Sequence, residues 1–308
     1  MKPAAFVSIG ECMIELSAGK GELWRLGFAG DTFNTAWYTR AILPKEQAVA
    51  YVTALGGDPF SQRMRNFIAK AGVETDRIRE VERRPGLYAI TLEKAERSFT
   101  YWRSQSAARL LADDPKWLDR AVGGAELLYF SGITLAILTP ASRRRLIAAL
   151  KKQRRQGAKI AFDPNFRPVL WPDRDAARKA MEAAYRVADI ALPTFSDEAE
   201  LFGDRSIAKT AERLASYRTN EFVIKNGDKA ALLFGDGKGG RIPPTKPKKV
   251  VDTTGAGDSF GGAYLAGRLI GLNPFAAARL GHRVAAEVIG VHGALTKINR
   301  RKVMQSAS

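Results

Sequence analysis

Leu127-Leu-Tyr-Phe-Ser131, Lys159-Ile-Ala-Phe-Asp163 and Asp189-Ile-Ala-Leu-Pro193 are three short apolar runs separated by helical stretches, and this alternation decides the fold. Short continuous apolar runs are how strands read when both faces of a parallel sheet are covered. The first intervening helix is opened by Thr139-Pro140, a cap followed by proline in the first turn, and ends near Gly157. A second spans 173–188, and a third begins at the acidic Ser196-Asp-Glu198. Toward the C-terminus come two more strands, Glu221-Phe-Val-Ile-Lys225 and Ala230-Ala-Leu-Leu-Phe234, and the chain turns helical after Gly255. Strand–helix–strand repetition of this kind predicts an α/β fold with a mostly parallel sheet and crossover helices.

The N-terminal part continues the theme with an interruption. Ala5-Phe-Val-Ser-Ile9 and Ala48-Val-Ala-Tyr-Val52 read as core strands. Cys12-Met-Ile-Glu-Leu16, Leu87-Tyr-Ala-Ile-Thr-Leu92 and Arg97-Ser-Phe-Thr-Tyr-Trp-Arg103 instead alternate polar and apolar residues, the mark of a sheet with one wet face. They predict a small β lid, drawn from about 11–30 and 86–106, over the edge of one domain that spans 1–308. No internal repeat or low-complexity tract interrupts this scheme.

Bulk properties bound the function. With 308 residues, 45% hydrophobic and 26% charged, the chain can bury a large core. The single cysteine, Cys12, cannot form an internal disulfide, which fits a reducing compartment. Glu11 and Glu15 interrupt the N-terminal apolar run too early for a signal peptide, and no stretch has the roughly 18 apolar residues of a membrane span. A cytoplasmic location without membrane attachment is expected. The formal charge of +17 raises nucleic-acid binding. The largest basic clusters, Arg143-Arg-Arg145 and Lys151-Lys-Gln-Arg-Arg155, lie on an amphipathic helix with Leu146, Ile147 and Leu150 on its apolar side. No aromatic residues interleave with them, so they read as a solvated helix face, and no nucleic-acid partner is expected. Two histidines, His282 and His292, with one cysteine do not make a typical zinc site, and Ser259 has no histidine–aspartate partners announced by sequence.

Chemistry concentrates in Val250-Val-Asp-Thr-Thr-Gly-Ala-Gly-Asp258, followed by Ser259-Phe-Gly-Gly-Ala-Tyr-Leu-Ala266. Gly255, Ala256 and Gly257 are small residues at the entrance of a helix, where backbone N–H groups lack internal partners and the helix dipole favours negative charge. Asp258 follows in the first turn, placed to accept a proton from a hydroxyl that attacks phosphorus. Residue types alone leave a second reading open, a glycine turn with Asp258 as a plain cap. The string is neither a Walker A loop nor the dinucleotide Gly-x-Gly-x-x-Gly fingerprint, since position 260 is Phe.

The longer string Asp252-Thr-Thr-Gly-Ala-Gly-Asp-Ser-Phe260 resembles the C-terminal signature of the ribokinase-like (PfkB) carbohydrate kinases. Nearly the whole chain is similar to the members of that family that phosphorylate 2-keto-3-deoxygluconate. The similarity lies in Ile9-Gly-Glu-Cys-Met-Ile-Glu-Leu16, Phe28-Ala-Gly-Asp-Thr-Phe-Asn34, Tyr51-Val-Thr-Ala-Leu-Gly56, Pro85-Gly-Leu-Tyr88, Phe99-Thr-Tyr-Trp-Arg103, Leu128-Tyr-Phe-Ser-Gly-Ile133 and Phe162-Asp-Pro-Asn-Phe-Arg167. The resemblance implies a three-layer α/β/α ribokinase-like fold with a β lid, and a homodimer or higher homo-oligomer formed through that lid. It implies ATP and Mg²⁺, with a monovalent cation as a further candidate, and transfer of a phosphoryl group to the C6 hydroxyl of 2-keto-3-deoxy-D-gluconate. Kinases of ribose, fructose or other sugars are the nearest alternative. A noncatalytic sugar or nucleotide sensor is the alternative of a different class, opposed by the intact Asp258 and glycine loop.

Residue by residue, the resemblance assigns sugar hydroxyls to Gly30, Asp31 and Asn34; the alternative for Asp31 is a plain helix cap. It brings Tyr88, Tyr101 and Arg103 down from the lid, and sets Arg167 beyond a strand end. Arg103 and Arg167 are the guanidinium groups that would read a sugar-acid carboxylate. On the nucleotide side it points to Asn165, Lys225, Gly227, Thr254, Gly255, Gly257 and His282. Lys225-Asn-Gly227 lacks the basic middle residue of the family's Lys-Arg-Gly turn. Asp197 and Glu198 would act on the metal indirectly, with Thr194 where the family has Asn.

Overall fold

The computed structural model describes residues 1–19, 21–93, 96–217 and 219–305; Lys20, Lys94 and Ala95, within the expected lid ranges, lie outside the described residues. The strands are β1 (Ala4–Ile9), β2 (Met13–Ala18), β3 (Trp24–Ala29), β4 (Val49–Leu55), β5 (Ile78–Glu80), β6 (Leu87–Glu93), β7 (Glu96–Trp102), β8 (Ala125–Ser131), β9 (Lys159–Asp163), β10 (Ile190–Ala191), β11 (Glu221–Ile224), β12 (Ala231–Gly235) and β13 (Lys238–Ile242). They form two sheets. The larger runs β13-β12-β11-β10-β9-β8-β1-β4-β5, and the smaller runs β3-β2-β6-β7.

In the larger sheet every pairing from β11 to β5 is parallel, while β12 and β13 close one edge as antiparallel strands. The β8 sequence shows how its neighbours are covered. Leu128 and Phe130 belong to a core with the helices Pro140–Arg155 and Arg174–Tyr185. Leu127 and Tyr129 belong to a second core with the helices Asp31–Ile42, Ala256–Leu269 and Pro274–Val288. Successive strand residues point to opposite faces, so an unbroken apolar run feeds both cores and yields three layers.

Local signals set the helix boundaries. Thr139 caps Pro140–Arg155 by accepting from the Ser142 N–H, and Asp173 caps Arg174–Tyr185 by accepting from the Ala176 N–H. The second helix ends at Tyr185, three residues before the expected 188. β10 spans two residues where a strand over 189–193 was expected, yet Leu192 N–H still reaches the Phe162 carbonyl and the Pro193 carbonyl still accepts from Lys225 N–H. Pro193 has no N–H of its own, so the ladder cannot continue regularly through it.

The smaller sheet is the expected lid. It joins the hairpin β2–β3 to the hairpin β6–β7 through parallel pairing of β2 with β6. Tyr88 pairs with Tyr101 and Ile90 with Phe99 across the second hairpin, so the four share one face. Their rings cluster, with Tyr88 5.8 Å from Tyr101 and 6.2 Å from Phe99. Leu23, Trp24 and Trp102 remain exposed at its surface.

Candidate active site

The carboxyl ends of the parallel strands and the entrances of two helices converge on a cleft of about 630 Å³ beneath the lid. Ligands of open α/β sheets bind at such strand ends. The cleft brings together nearly all the residues the sequence singled out. Gly30, Asp31 and Asn34 come from the Asp31–Ile42 helix entrance; Tyr88, Tyr101 and Arg103 from the lid; and Asn165 and Arg167 from beyond β9. Lys225 follows β11, and Thr254, Gly255, Ala256, Gly257 and Asp258 open the Ala256–Leu269 helix; Thr194 and Asp197 also line the wall.

The helix entrance at 255 has the shape its sequence requires. Gly255 is the N-cap at φ +77°, in the left-handed region, and a Cβ there would lie 2.8 Å from the Ala294 carbonyl oxygen. Only glycine fits without strain. Asp258 does not cap this helix; its carboxylate Oδ2 accepts a hydrogen bond from Asn34 Nδ2 at 2.7 Å. Asn34 Oδ1 in turn accepts from the Gly30 N–H at 3.3 Å, which fixes the amide with its NH₂ toward Asp258. The Ala256 N–H is taken by the Thr253 carbonyl at 3.2 Å, so it is not one of the anion-binding donors expected over 255–258. That leaves the amides of Gly255, Gly257 and Asp258 as the remaining donors of the expected set.

Asp258 is a strongly perturbed carboxylate of the cleft. Burial raises its pKa from 3.8 to about 7, the negative charges of Asp31 and Asp163 push the same way, and the Asn34 hydrogen bond and Lys225 oppose them. A base poised near neutrality suits proton abstraction from an alcohol. Burial also raises the Asp31 carboxyl, against hydrogen bonds from Ser131 and Asn165. Asp31 is not the cap of its helix either: Gly30 occupies that position, and Asp31 Oδ2 accepts from Asn165 Nδ2 at 3.1 Å. Gly30 itself serves the chain's own packing, because a Cβ there would lie 2.1 Å from the Glu11 carbonyl oxygen.

Asn165 and Lys225 meet on a residue the sequence reading did not single out, Asp163. Its carboxylate accepts from the Asn165 N–H at 3.1 Å and from Lys225 Nζ at 2.5 Å, with both partners of the ion pair largely buried. Asn165 adopts φ +35°, a left-handed conformation that asparagine tolerates better than most residues, and so spans Asp163 and Asp31. The signal for Asp163 was present in Phe162-Asp-Pro-Asn-Phe-Arg167, where an acid ends a buried strand. Glu11 is the second addition: it lines the cleft and pairs with Arg103. Arg167 is more than half exposed, donates to the Phe166 carbonyl at 3.0 Å and lies 4.0 Å from Asp197.

Three expected residues lie elsewhere. Glu198 is buried against Tyr185 and Arg213, both at hydrogen-bond distance from its carboxylate, so Asp197 is the acid of that pair which faces the cleft. Gly227 sits in an exposed turn at φ +60°. His282 packs edge-on against Phe260 with ring centres 4.9 Å apart, and burial lowers its pKa to about 4. The other histidine, His292, instead borders a neighbouring cavity of about 470 Å³ with Thr254, Gly293 and Ala294.

No group of three or more metal-binding side chains occurs among the described residues. Glu11, Asp31, Asp163, Asp197 and Asp258 face Arg103, Arg167 and Lys225, so carboxylates outnumber cations around the cleft. A polyphosphate would enter such a surround most readily with a cation of its own.

The model of the pfkB family carbohydrate kinases matches residues 4–301. The chain is 43% identical over 295 residues to the 2-dehydro-3-deoxygluconokinase of Dickeya dadantii (strain 3937), covering 93% of this chain and 95% of that one. It is 38% identical over 305 residues to the 2-dehydro-3-deoxygluconokinase of Haemophilus influenzae, covering 96% of each. The fold is shared with the 2-dehydro-3-deoxygluconokinase of Thermotoga maritima, at 21% identity, TM-score 0.84 and 99% coverage of both chains. It is shared equally with a fructokinase from Xylella fastidiosa crystallised with ATP, at 21% identity, TM-score 0.85 and 97% coverage of both.

Proposed function

The chain belongs to the pfkB family of carbohydrate kinases, and from that premise we propose that it transfers the γ-phosphoryl group of ATP to the C6 hydroxyl of 2-keto-3-deoxy-D-gluconate. The observation that carries the reading is Asp258, a carboxylate raised to about 7, standing at a helix entrance in a cleft that also holds Arg103 and Arg167. The relatives named 2-dehydro-3-deoxygluconokinase support the substrate.

In this reading Asp31 and Asn34 bind sugar hydroxyls, and the hydroxyl at C6 lies against Asp258. Asp258 accepts the hydroxyl proton as oxygen attacks phosphorus, and the amides of Gly255 and Gly257 stabilise the negative charge that develops on the transferring group. Lys225, anchored by Asp163, holds a phosphate, with Asn165 and Thr254 beside it. Arg103 and Arg167 take the carboxylate at the other end of the sugar acid. Tyr88 and Tyr101 cover the sugar from the lid and exclude water, so that transfer to sugar prevails over hydrolysis. Magnesium carried in with the nucleotide would supply charge neutralisation at the phosphates, and Asp197 and Asp163 are the cleft carboxylates that would hold it. The exposed Trp24 and Trp102, on the lid face turned away from Tyr88 and Tyr101, are the surface through which two copies would pair.

The test is ADP release from ATP with 2-keto-3-deoxygluconate, its galactonate epimer, ribose and fructose, with and without potassium ion. The proposal expects the keto acids to be turned over in preference to both neutral sugars, and Arg167→Ala to narrow that preference. A preference for ribose or fructose would move the chain to the neutral-sugar members of the family. ADP release at background with every sugar would favour a sensor.

A further inference from the structure

Glu11 and Arg103 form a buried ion pair in the wall of the cleft, with side-chain exposures of 1% and 10%. Glu11 lies just beyond β1 of the main sheet, and Arg103 just beyond β7 of the lid, so the pair ties one sheet to the other. The contact runs from Arg103 Nη2 to Glu11 Oε2. Arg103 Nε and Glu11 Oε1 are buried without a hydrogen-bond partner among the described residues. Buried polar groups are nearly always satisfied, so the Arg103 donor calls for an acceptor and the Glu11 oxygen for a hydroxyl or water, which a hydroxylated acid in this cleft wall would bring.

Room for the pair is made by Gly86. A Cβ on Gly86 would lie 2.9 Å from Glu11 Oε1 and 3.2 Å from both Arg103 Cβ and Met13 Cγ. Its backbone is not in the left-handed region, so a side chain at 86 would disturb this contact and not the local backbone conformation.

We propose that Glu11 is a positioning residue for carboxylate recognition: it clamps Nη2 of the Arg103 guanidinium before substrate arrives, so that the group is held in one orientation for the sugar acid. The proposal rests on the reading of the cleft as a sugar-acid site. A guanidinium this buried is costly without a counter-charge, and Glu11 supplies one. The same contact freezes a side chain that otherwise carries large rotamer freedom, and ordering it in advance removes that cost from binding. The ring of Tyr101 lies under it, 5.8 Å from the guanidinium carbon, and limits its swing further. Arg167 offers the contrast: half exposed, 4.0 Å from its carboxylate and, among the described residues, held only by the Phe166 carbonyl, it has no buried ion pair to fix it. One arginine is a fixed reference and the other an adaptable one.

The experiment compares kcat/KM for 2-keto-3-deoxygluconate with that for 3-deoxyfructose, in which a hydroxymethyl group replaces the carboxylate, in the wild type and in Glu11→Ala, Glu11→Gln and Gly86→Ala. Losing a hydrogen bond to a charged group predicts that Glu11→Ala lowers the acid-to-neutral ratio roughly 10- to 100-fold, mainly through KM for the acid, while KM for ATP stays within a few-fold. Glu11→Gln keeps an acceptor for Nη2 but not the counter-charge, and should recover part of the ratio that Glu11→Ala loses. Gly86→Ala displaces Glu11 without deleting it and should give an intermediate loss; it carries the test if Glu11→Ala does not fold. An equal fall for both substrates, or an unchanged ratio, overturns the positioning role. A wild type that does not prefer the acid overturns the sugar-acid reading itself, whatever the variants do.

Discussion

Lowering the pH should switch the enzyme off far above the range where an ordinary aspartate titrates. Asp258 must be ionised to accept a proton, and its pKa is raised from 3.8 to about 7, first by burial and then by the charge of Asp31. The active form is therefore the one that grows as pH rises through 7. At pH 6 about a tenth of the base is ionised and at pH 5 about a hundredth, so kcat/KM for the sugar acid should fall about tenfold per unit below neutrality. With an unshifted base the same profile would stay flat to about pH 5. A coupled ADP-release assay between pH 5 and 9, with coupling enzymes in excess at each pH, reads this directly. The cause can be tested in the same assay. Asp31→Asn removes a like charge, so the acid limb should move to lower pH by on the order of one unit, even though overall activity falls with the loss of a sugar contact. A wild-type profile flat to pH 5, or an Asp31→Asn limb that moves upward, would refute the electrostatic account of the base.

Gly255→Ala forces a side chain into φ +77° and against the Ala294 carbonyl, which should cost about 1–2 kcal/mol from the backbone conformation alone and lower kcat as the helix entrance shifts; a melting curve and turnover check both. Lys225→Met leaves Asp163 as a buried charge without its partner, so the protein should lose about 3–5 kcal/mol in denaturant unfolding and KM for ATP should rise. Retained stability in that variant would mean that Asp163 is solvated in solution.

Much of this molecule is legible in the chain because its strands are buried on both sides. Leu127-Leu-Tyr-Phe-Ser131 and Lys159-Ile-Ala-Phe-Asp163 announce themselves since nothing polar is tolerated there, and β9 has the bounds the sequence suggests. β13 does not: Lys238-Gly-Gly-Arg-Ile242 is an edge strand held by pairing with β12, and its exposed residues carry no pattern. β5 is three residues long and exists only because β4 offers it an edge. At the site, Gly255 and Asp258 were readable because helix-entrance chemistry is local, whereas Asn34 was reached through the family resemblance. Asp163 and Glu11 act through partners more than 60 residues away, Lys225 and Arg103, and no local pattern encodes such pairings. Glu198 misleads for the converse reason, since an acid in a first helical turn gives no hint that Tyr185 and Arg213 will turn it inward. The charge of +17 finds no explanation in the cleft, whose lining has more carboxylates than cations.

The central claim, that Asp258 is the base, is tested most directly by steady-state turnover of Asp258→Asn with ATP and 2-keto-3-deoxygluconate. The amide keeps the shape of the helix entrance but cannot accept the proton. Turnover should drop by roughly 10²–10⁴, with KM for ATP nearly unmoved. Turnover near the wild-type value would contradict the account.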